Sequence, residues 1–258
     1  MSWPQTVLLG AIAGFTIYLG LPAGKIRMMG EKTRAFLSMT STGILLFLFF
    51  DIFTQLSEPV ETALTAKNYT GFALLLGVFV IGFGLGLIGL IAFEQRFIKI
   101  TAVTGKVTMP VRLALTIATG IGLHNFSEGL AIGGSAGRGE IGFAVLLIIG
   151  FGLHNATEGF GIIGPMVGKE IPSWRFLGLV GLIGGGPTFL GTLVGYFLVS
   201  DLLSVLFLAL AAGALVYIIS ELFHLERRPG TRLAGGWGIL AGFLFAFLTD
   251  LILTFAGI

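Results

Sequence analysis

Apolar residues fill this chain in long uninterrupted blocks, not in the alternating or one-faced patterns of soluble strands and helices. Eight blocks fall near residues 4–24, 35–56, 71–93, 110–133, 141–165, 176–199, 202–225 and 235–257. Each holds about 20 residues, enough to cross a hydrocarbon core of about 30 Å as a helix. The pattern predicts an all-α, polytopic membrane protein with a single transmembrane domain over 1–258 and eight spans. The first block lacks the basic start and small-residue cleavage site of a signal peptide, so it reads as the first helix of a mature chain.

Composition agrees and removes several alternatives. Only 11% of residues are charged and 55% are hydrophobic, where a soluble domain carries about 25% charged residues. The absence of cysteine excludes disulfides, thiolate metal sites and cysteine catalysis. The net charge of +2 says little, but its distribution is informative. Lys25, Arg27, Lys32, Arg34, Arg96, Lys99, Lys106, Arg112, Lys169, Arg175, Arg227, Arg228 and Arg232 all flank the odd-numbered connections. Only Lys67 and Arg138 lie on the other side. Basic residues gather on the cytoplasmic side of membrane proteins, so both termini are expected outside the cytoplasm, in a multi-pass protein of the cytoplasmic membrane. The 41 glycines allow helices to approach closely and permit a homodimer. Lipid is the expected surroundings, and no nucleic-acid partner is expected.

Against this apolar background a few ionisable residues stand out. Asp51, Glu128, Glu158, Glu221 and Asp250 fall within the spans, with His124 and His154, while His224 lies near the inner end of span seven. A charge at bilayer depth costs about 2.5–3.5 kcal/mol on insertion scales, so such residues turn inward and serve a function. Asp51 and Asp250 have two open readings: hydrogen bonding to a neighbouring helix, or lining an outer entrance that attracts cations.

Spans four and five carry a repeat. Residues 122–129 read Gly-Leu-His-Asn-Phe-Ser-Glu-Gly and residues 152–159 read Gly-Leu-His-Asn-Ala-Thr-Glu-Gly, thirty positions later. His124 and Glu128, like His154 and Glu158, are four residues apart and share a helix face. Asn125 and Asn155 flank that face, turned by about 100°. Two antiparallel helices bearing these groups can surround a small cation with nitrogen and oxygen. Imidazole with carboxylate suits Zn²⁺, Fe²⁺ or Mn²⁺, whereas a Mg²⁺ or Ca²⁺ site would use oxygens alone. The competing structural reading is that the pairs knit helices together or relay protons; their duplication on adjacent helices favours an ion site.

Span seven adds Glu221, expected below these ligands on the exit side if its helix faces them. Span six contains Gly184-Gly185-Gly186-Pro187, a run expected to break or kink its helix and line a cavity.

The doubled His-Asn-x-x-Glu-Gly motif on the fourth and fifth of eight spans, with both termini outside, resembles the ZIP family of metal-ion transporters, and its prokaryotic branch above all. The resemblance implies an eight-helix bundle that moves divalent metal toward the cytoplasm. It implies His124, Asn125, Glu128, His154, Asn155 and Glu158 as metal ligands, with Glu221 as the family's acid on helix seven. The metal would be cargo, Zn²⁺ first, with Fe²⁺, Mn²⁺ or Cd²⁺ as alternatives, and no permanent cofactor is expected.

The chain also departs from that pattern. Ser127 and Thr157 stand where the family commonly has proline. Gly186 precedes Pro187 where a metal-bridging glutamate is typical, so one full metal site is expected in place of two. Ser220 replaces a histidine or glutamate, and residues 94–109 lack the histidine-rich loop of many relatives.

Two other functions compete with transport. An intramembrane zinc-dependent hydrolase would use the same groups to activate water, but there is no His-Glu-x-x-His motif and no third histidine suitably placed, so an enzyme is not expected. A diverged metal sensor or proton-coupled carrier would treat Gly186 and Ser220 as marks of lost transport chemistry.

Overall fold

The computed structural model describes residues 2–26, 30–96, 108–139, 141–198, 200–225 and 230–255. Arg27, Lys99, Lys106, Arg227 and Arg228, used above for orientation, lie outside these residues. Among the described residues the chain forms eight helices and no strand. Helix α1 spans Trp3–Phe15 and continues through two tight turns to Lys25. Helix α2 spans Glu31–Thr65. Helix α3 spans Tyr69–Arg96, widened to a π-helical turn over Leu85–Gly89. Then follow α4 (Met109–Gly137), α5 (Ile141–Ile163), α6 (Trp174–Phe197), α7 (Asp201–Leu225) and α8 (Arg232–Phe255).

Five of these segments, α1 with its extension, α2, α3, α6 and α7, are long and apolar enough to cross a membrane. The polar motifs lie on α4 and α5. The helices follow the apolar blocks closely, with one clear exception. Helix α2 runs on to Thr65, beyond the expected end near 56. Residues 57–65 are polar and mostly exposed, but Glu58, Glu61, Ala63 and Leu64 favour helix, and hydropathy cannot see a helix once it leaves the apolar layer.

A second expectation fails at the glycine run. Helix α6 is continuous through Gly184, Gly185, Gly186 and Pro187, where a break was expected. Proline at position 187 removes the hydrogen bond to the Ile183 carbonyl. That carbonyl instead lies against Gly122 of α4, so close that a Cβ there would sit 2.4 Å from it. Gly184 and Gly185 are spent on contact with neighbouring helices, and the helix runs on through the weak point.

The helices pack as two groups. Helices α1, α4, α5 and α6 pack most heavily among themselves, as do α2, α3, α7 and α8. Within each group, glycines bring backbone onto backbone. A Cβ at Gly129 would lie 2.2 Å from the Thr188 carbonyl oxygen, and one at Gly133 2.3 Å from that of Thr192, fusing α4 to α6. Gly159 meets the Ile17 carbonyl, joining α5 to the α1 extension. In the second group, Gly242 meets Thr40, and Gly213 meets Phe83, in the same way.

Between the groups the contact is made by side chains. Gly120 of α4 faces the tip of Ile218 on α7, and Gly161 of α5 faces Leu45 on α2. Leu48, Ile52, Ile117, Ile121, Ile162, Leu215 and Ile218 belong to one buried cluster that runs through both groups. The polar motifs of α4 and α5 therefore ride on a backbone-locked group and face a second group across side chains, aliphatic for the most part, with Ser41 of α2 donating to the Phe160 carbonyl of α5 at 3.4 Å.

This packing makes Gly129 intolerant of any side chain. Overpacking costs about 1–3 kcal/mol, and α4 to α6 contact leaves backbone as the obstacle. Gly129→Ala should lower the thermal midpoint of the detergent-solubilised protein by about 3 °C or more. Gly77→Ala, where a Cβ meets nothing within 4 Å, should leave it unchanged or slightly raised, because alanine is the better helix former.

Candidate functional site

Both repeats lie within unbroken helices, so the four-residue spacing is delivered as geometry. His124 Nε2 is 3.3 Å from Glu128 Oε1, and His154 Nε2 is 3.7 Å from Glu158 Oε1. The two imidazoles meet at a ring-centroid distance of 6.1 Å. One ligand atom each from His124, Glu128 and His154 fall within 4.8 Å of one another. Serine and threonine in place of proline leave the helices continuous. Thr157 returns its hydroxyl to the His154 carbonyl at 2.7 Å, a bond available inside a helical turn.

The two asparagines have a definite structural role. Asn125 donates from Nδ2 to Glu158 Oε2 and to the Gly184 carbonyl, both at 3.0 Å. It therefore ties α4 to α5 and to α6. Asn155 donates to the Ala13 carbonyl at 3.1 Å, tying α5 to α1. All of these bonds remain within the first helix group.

His124, Asn125, Glu128, His154, Asn155 and Glu158 are all buried. Four of their polar atoms have neither a hydrogen bond nor an ion-pair contact, His124 Nδ1, Asn125 Oδ1, Glu128 Oε2 and Asn155 Oδ1, while His124 Nε2, His154 Nε2 and Glu158 Oε1 make only the long ion-pair contacts given above. A buried unsatisfied polar group costs about 1–3 kcal/mol. Four at once would take up much of the whole stability of an ordinary domain, about 5–15 kcal/mol. The donor set fits a cation: two imidazoles and the Glu128 carboxylate converge within 4.8 Å, with the Glu158 carboxylate beside His154. Bonds of about 2.1 Å in a tetrahedral shell set ligand atoms about 3.4 Å apart, close to the present His124–Glu128 separation. Two carboxylates also balance a divalent charge, which a dry interior requires.

The other predicted residues are scattered. Asp51 of α2 accepts from Gln55 Nε2 at 2.9 Å, and its charge acts on His124, Glu128, His154 and Glu158. This bond lies within α2 itself, so the expected hydrogen bond to a neighbouring helix is not what holds Asp51. Asp250 of α8 feels Asp51. Glu221 is half-buried and outside the three-residue cluster. Because Ile218 reaches Gly120, Glu221 lies on the order of 10 Å from His124 along the bundle, toward the basic end. His224 and Ser220 are exposed. Gly186 does not face the centre: a Cβ there would meet only Leu182 of its own helix. The expectation that a carboxylate at 186 would bridge metal is therefore corrected. Helical rotation aims Gly184 and Gly185 inward and Gly186 outward.

One polar group escaped the sequence reading. Glu94 of α3, only 2% exposed, pairs through Oε1 with Arg112 Nε of α4 at 2.7 Å. The Tyr217 hydroxyl of α7 donates to its other oxygen. Hydropathy placed Glu94 just outside the third block. The usable signal was an acid and an arginine at matching depth on consecutive antiparallel spans.

No protein-family model matches this sequence, and no curated protein matches it.

The asparagine bonds and the orphaned carboxylate oxygens should separate in stability. Asn125→Ala takes a donor from the buried Glu158 carboxylate, at about 1–3 kcal/mol for a group left unsatisfied, and cuts the tie to the Gly184 carbonyl of α6. Its thermal midpoint in chelator should fall well below wild type. Glu128→Gln removes a buried carboxylate with an unpartnered oxygen, so its midpoint in chelator should stay the same or rise.

Proposed function

We propose that this chain is a ZIP-like transporter that carries a divalent transition-metal ion across the cytoplasmic membrane toward the cytoplasm. The eight helices are its spans, both termini lie outside, and the basic end faces the cytoplasm, as the distribution of lysine and arginine supports. The observation that carries the reading is the buried centre on the repeated motif, where ligand atoms of His124, Glu128 and His154 lie within 4.8 Å of one another and four polar atoms are left without partners.

The cargo is bound by His124, Glu128 and His154, joined by Glu158, with the Asn125 and Asn155 oxygens in reserve. Nitrogen and oxygen ligands without thiolate select Zn²⁺, Fe²⁺, Mn²⁺ or Cd²⁺ over Cu⁺. The ion surrenders its water to these fixed groups and regains charge balance from the two carboxylates. Asp51 raises the local cation concentration beside the centre. Glu221, about 10 Å further toward the basic end, receives the departing ion.

Movement follows from the two kinds of contact. The first helix group, locked backbone to backbone, carries the centre as one body. Across aliphatic side chains it can shift against the second group, exposing the centre to one side and then the other. Rigid-body displacement of one bundle against another around a central site is how many secondary transporters alternate access. One metal site follows from one ligand cluster.

Proteoliposomes loaded with a metal-sensitive dye should take up Zn²⁺, Fe²⁺, Mn²⁺ or Cd²⁺. Joint Glu128→Ala and Glu158→Ala substitution should cut the rate to about a tenth or less, as loss of a charge-balanced site demands; unchanged uptake would overturn the assignment. Equilibrium dialysis should return about one metal per chain, as the single cluster of ligands requires. Gly186→Glu should leave that number as it is, because position 186 faces away from the centre; a rise to about two would refute the single-site reading.

A further inference from the structure

The boundary between the two helix groups is aliphatic where α4 meets Ile218 and where α5 meets Leu45. At the basic end it carries a different kind of contact. Arg112 belongs to α4 and the first group, while Glu94 and Tyr217 belong to α3 and α7 of the second. The Glu94 carboxylate takes Arg112 Nε at 2.7 Å on one oxygen and the Tyr217 hydroxyl on the other. We propose that Glu94, Arg112 and Tyr217 form a latch that holds the two helix groups in one relative position and opens when they move.

Three features argue for a latch over a permanent brace. An aliphatic interface has no preferred register finer than side-chain packing, whereas an ion pair with a hydroxyl clamp is satisfied only at one offset. The pair is also asymmetric in burial, with Glu94 2% exposed and the Arg112 side chain 18% exposed. The two atoms that meet, Glu94 Oε1 and Arg112 Nε, are themselves buried, so drawing Arg112 toward solvent leaves a buried carboxylate held by Tyr217 alone, and that cost favours the closed position. Finally, Arg112 shares α4 with His124 and Glu128, twelve and sixteen residues along the same continuous helix. Any shift of α4 that moves the centre also draws Arg112 away from Glu94. Tyr217 and Glu221 are one turn apart on α7, so the opening lies beside Glu221.

This inference rests on the transport reading, and its test keeps the two apart. The chain has no cysteine, so Arg175→Cys on α6 and Arg232→Cys on α8, both exposed, can carry spin labels on opposite groups. In metal-free nanodiscs, pulsed dipolar spectroscopy should give one dominant distance in the otherwise wild-type protein. Glu94→Gln and Arg112→Gln should each raise a second distance about tenfold in population, within the usual range of conformational coupling. Exchange of the two charges, Glu94→Arg with Arg112→Glu, should restore the single distance. Tyr217→Phe, which removes one hydroxyl and leaves the ion pair, should give a smaller second population and serves if the charge variants do not fold. Superimposable distributions for wild type, Glu94→Gln and Tyr217→Phe would overturn the latch. A second distance in a protein that carries no metal into proteoliposomes would support the latch and sink the transport reading. Metal uptake with unchanged distances in every variant would do the reverse.

Discussion

Everything in this fold is arranged around the cost of holding four ionisable side chains in an apolar interior. His124, Glu128, His154 and Glu158 meet where water is excluded, and the protein supplies only part of the hydrogen bonding they need. Their neighbours follow from that demand. Asn125 and Asn155 spend their amide donors on the Gly184 and Ala13 carbonyls, and Asn125 also on Glu158, which fixes four helices around the centre. The acceptor oxygens are left over. A set of convergent lone pairs without donors is suited to a cation, and two carboxylates suit a doubly charged one.

Fixing such a centre requires helices that do not shift independently. Glycine provides this by letting carbonyls of one helix touch the Cα of the next, a distance no larger residue allows. The same device joins α4 to α6, α5 to the α1 extension, α2 to α8 and α3 to α7. It is missing at Gly120 and Gly161, where α4 meets α7 and α5 meets α2 and the neighbour is a side chain. Contacts between backbones are stiff and unique, while contacts between aliphatic side chains admit several near-equal packings. The proposed transport cycle uses this difference, with the stiff contacts carrying the ion and the soft ones allowing motion.

Polar groups at the soft boundary then take on a positional meaning. Glu94, Arg112 and Tyr217 meet at the basic end, where arginine keeps partial access to water. The same three groups within one helix group would be a brace. Across the boundary they define a stopping point, because their geometry is satisfied at a single offset.

The sequence alone determined the helical class, the positions of the helices and the pairing of histidine with glutamate. Length and hydropathy are local quantities, and a four-residue spacing becomes a shared face as soon as the helix forms. It also singled out the repeat, since one motif written twice is visible without coordinates. Tertiary structure decided which residues face one another. It turned Gly186 outward while its neighbours turned inward, kept α6 continuous through Pro187, separated Glu221 from the ligand cluster and brought Glu94 to Arg112. It also assigned the asparagine donors to Gly184 and Ala13, groups far away along the chain. Each of these depends on rotation about a helix axis and on which helix lies alongside, and neither is set by the local sequence. Both are set by the packing of glycine backbones around the buried histidine–glutamate pairs.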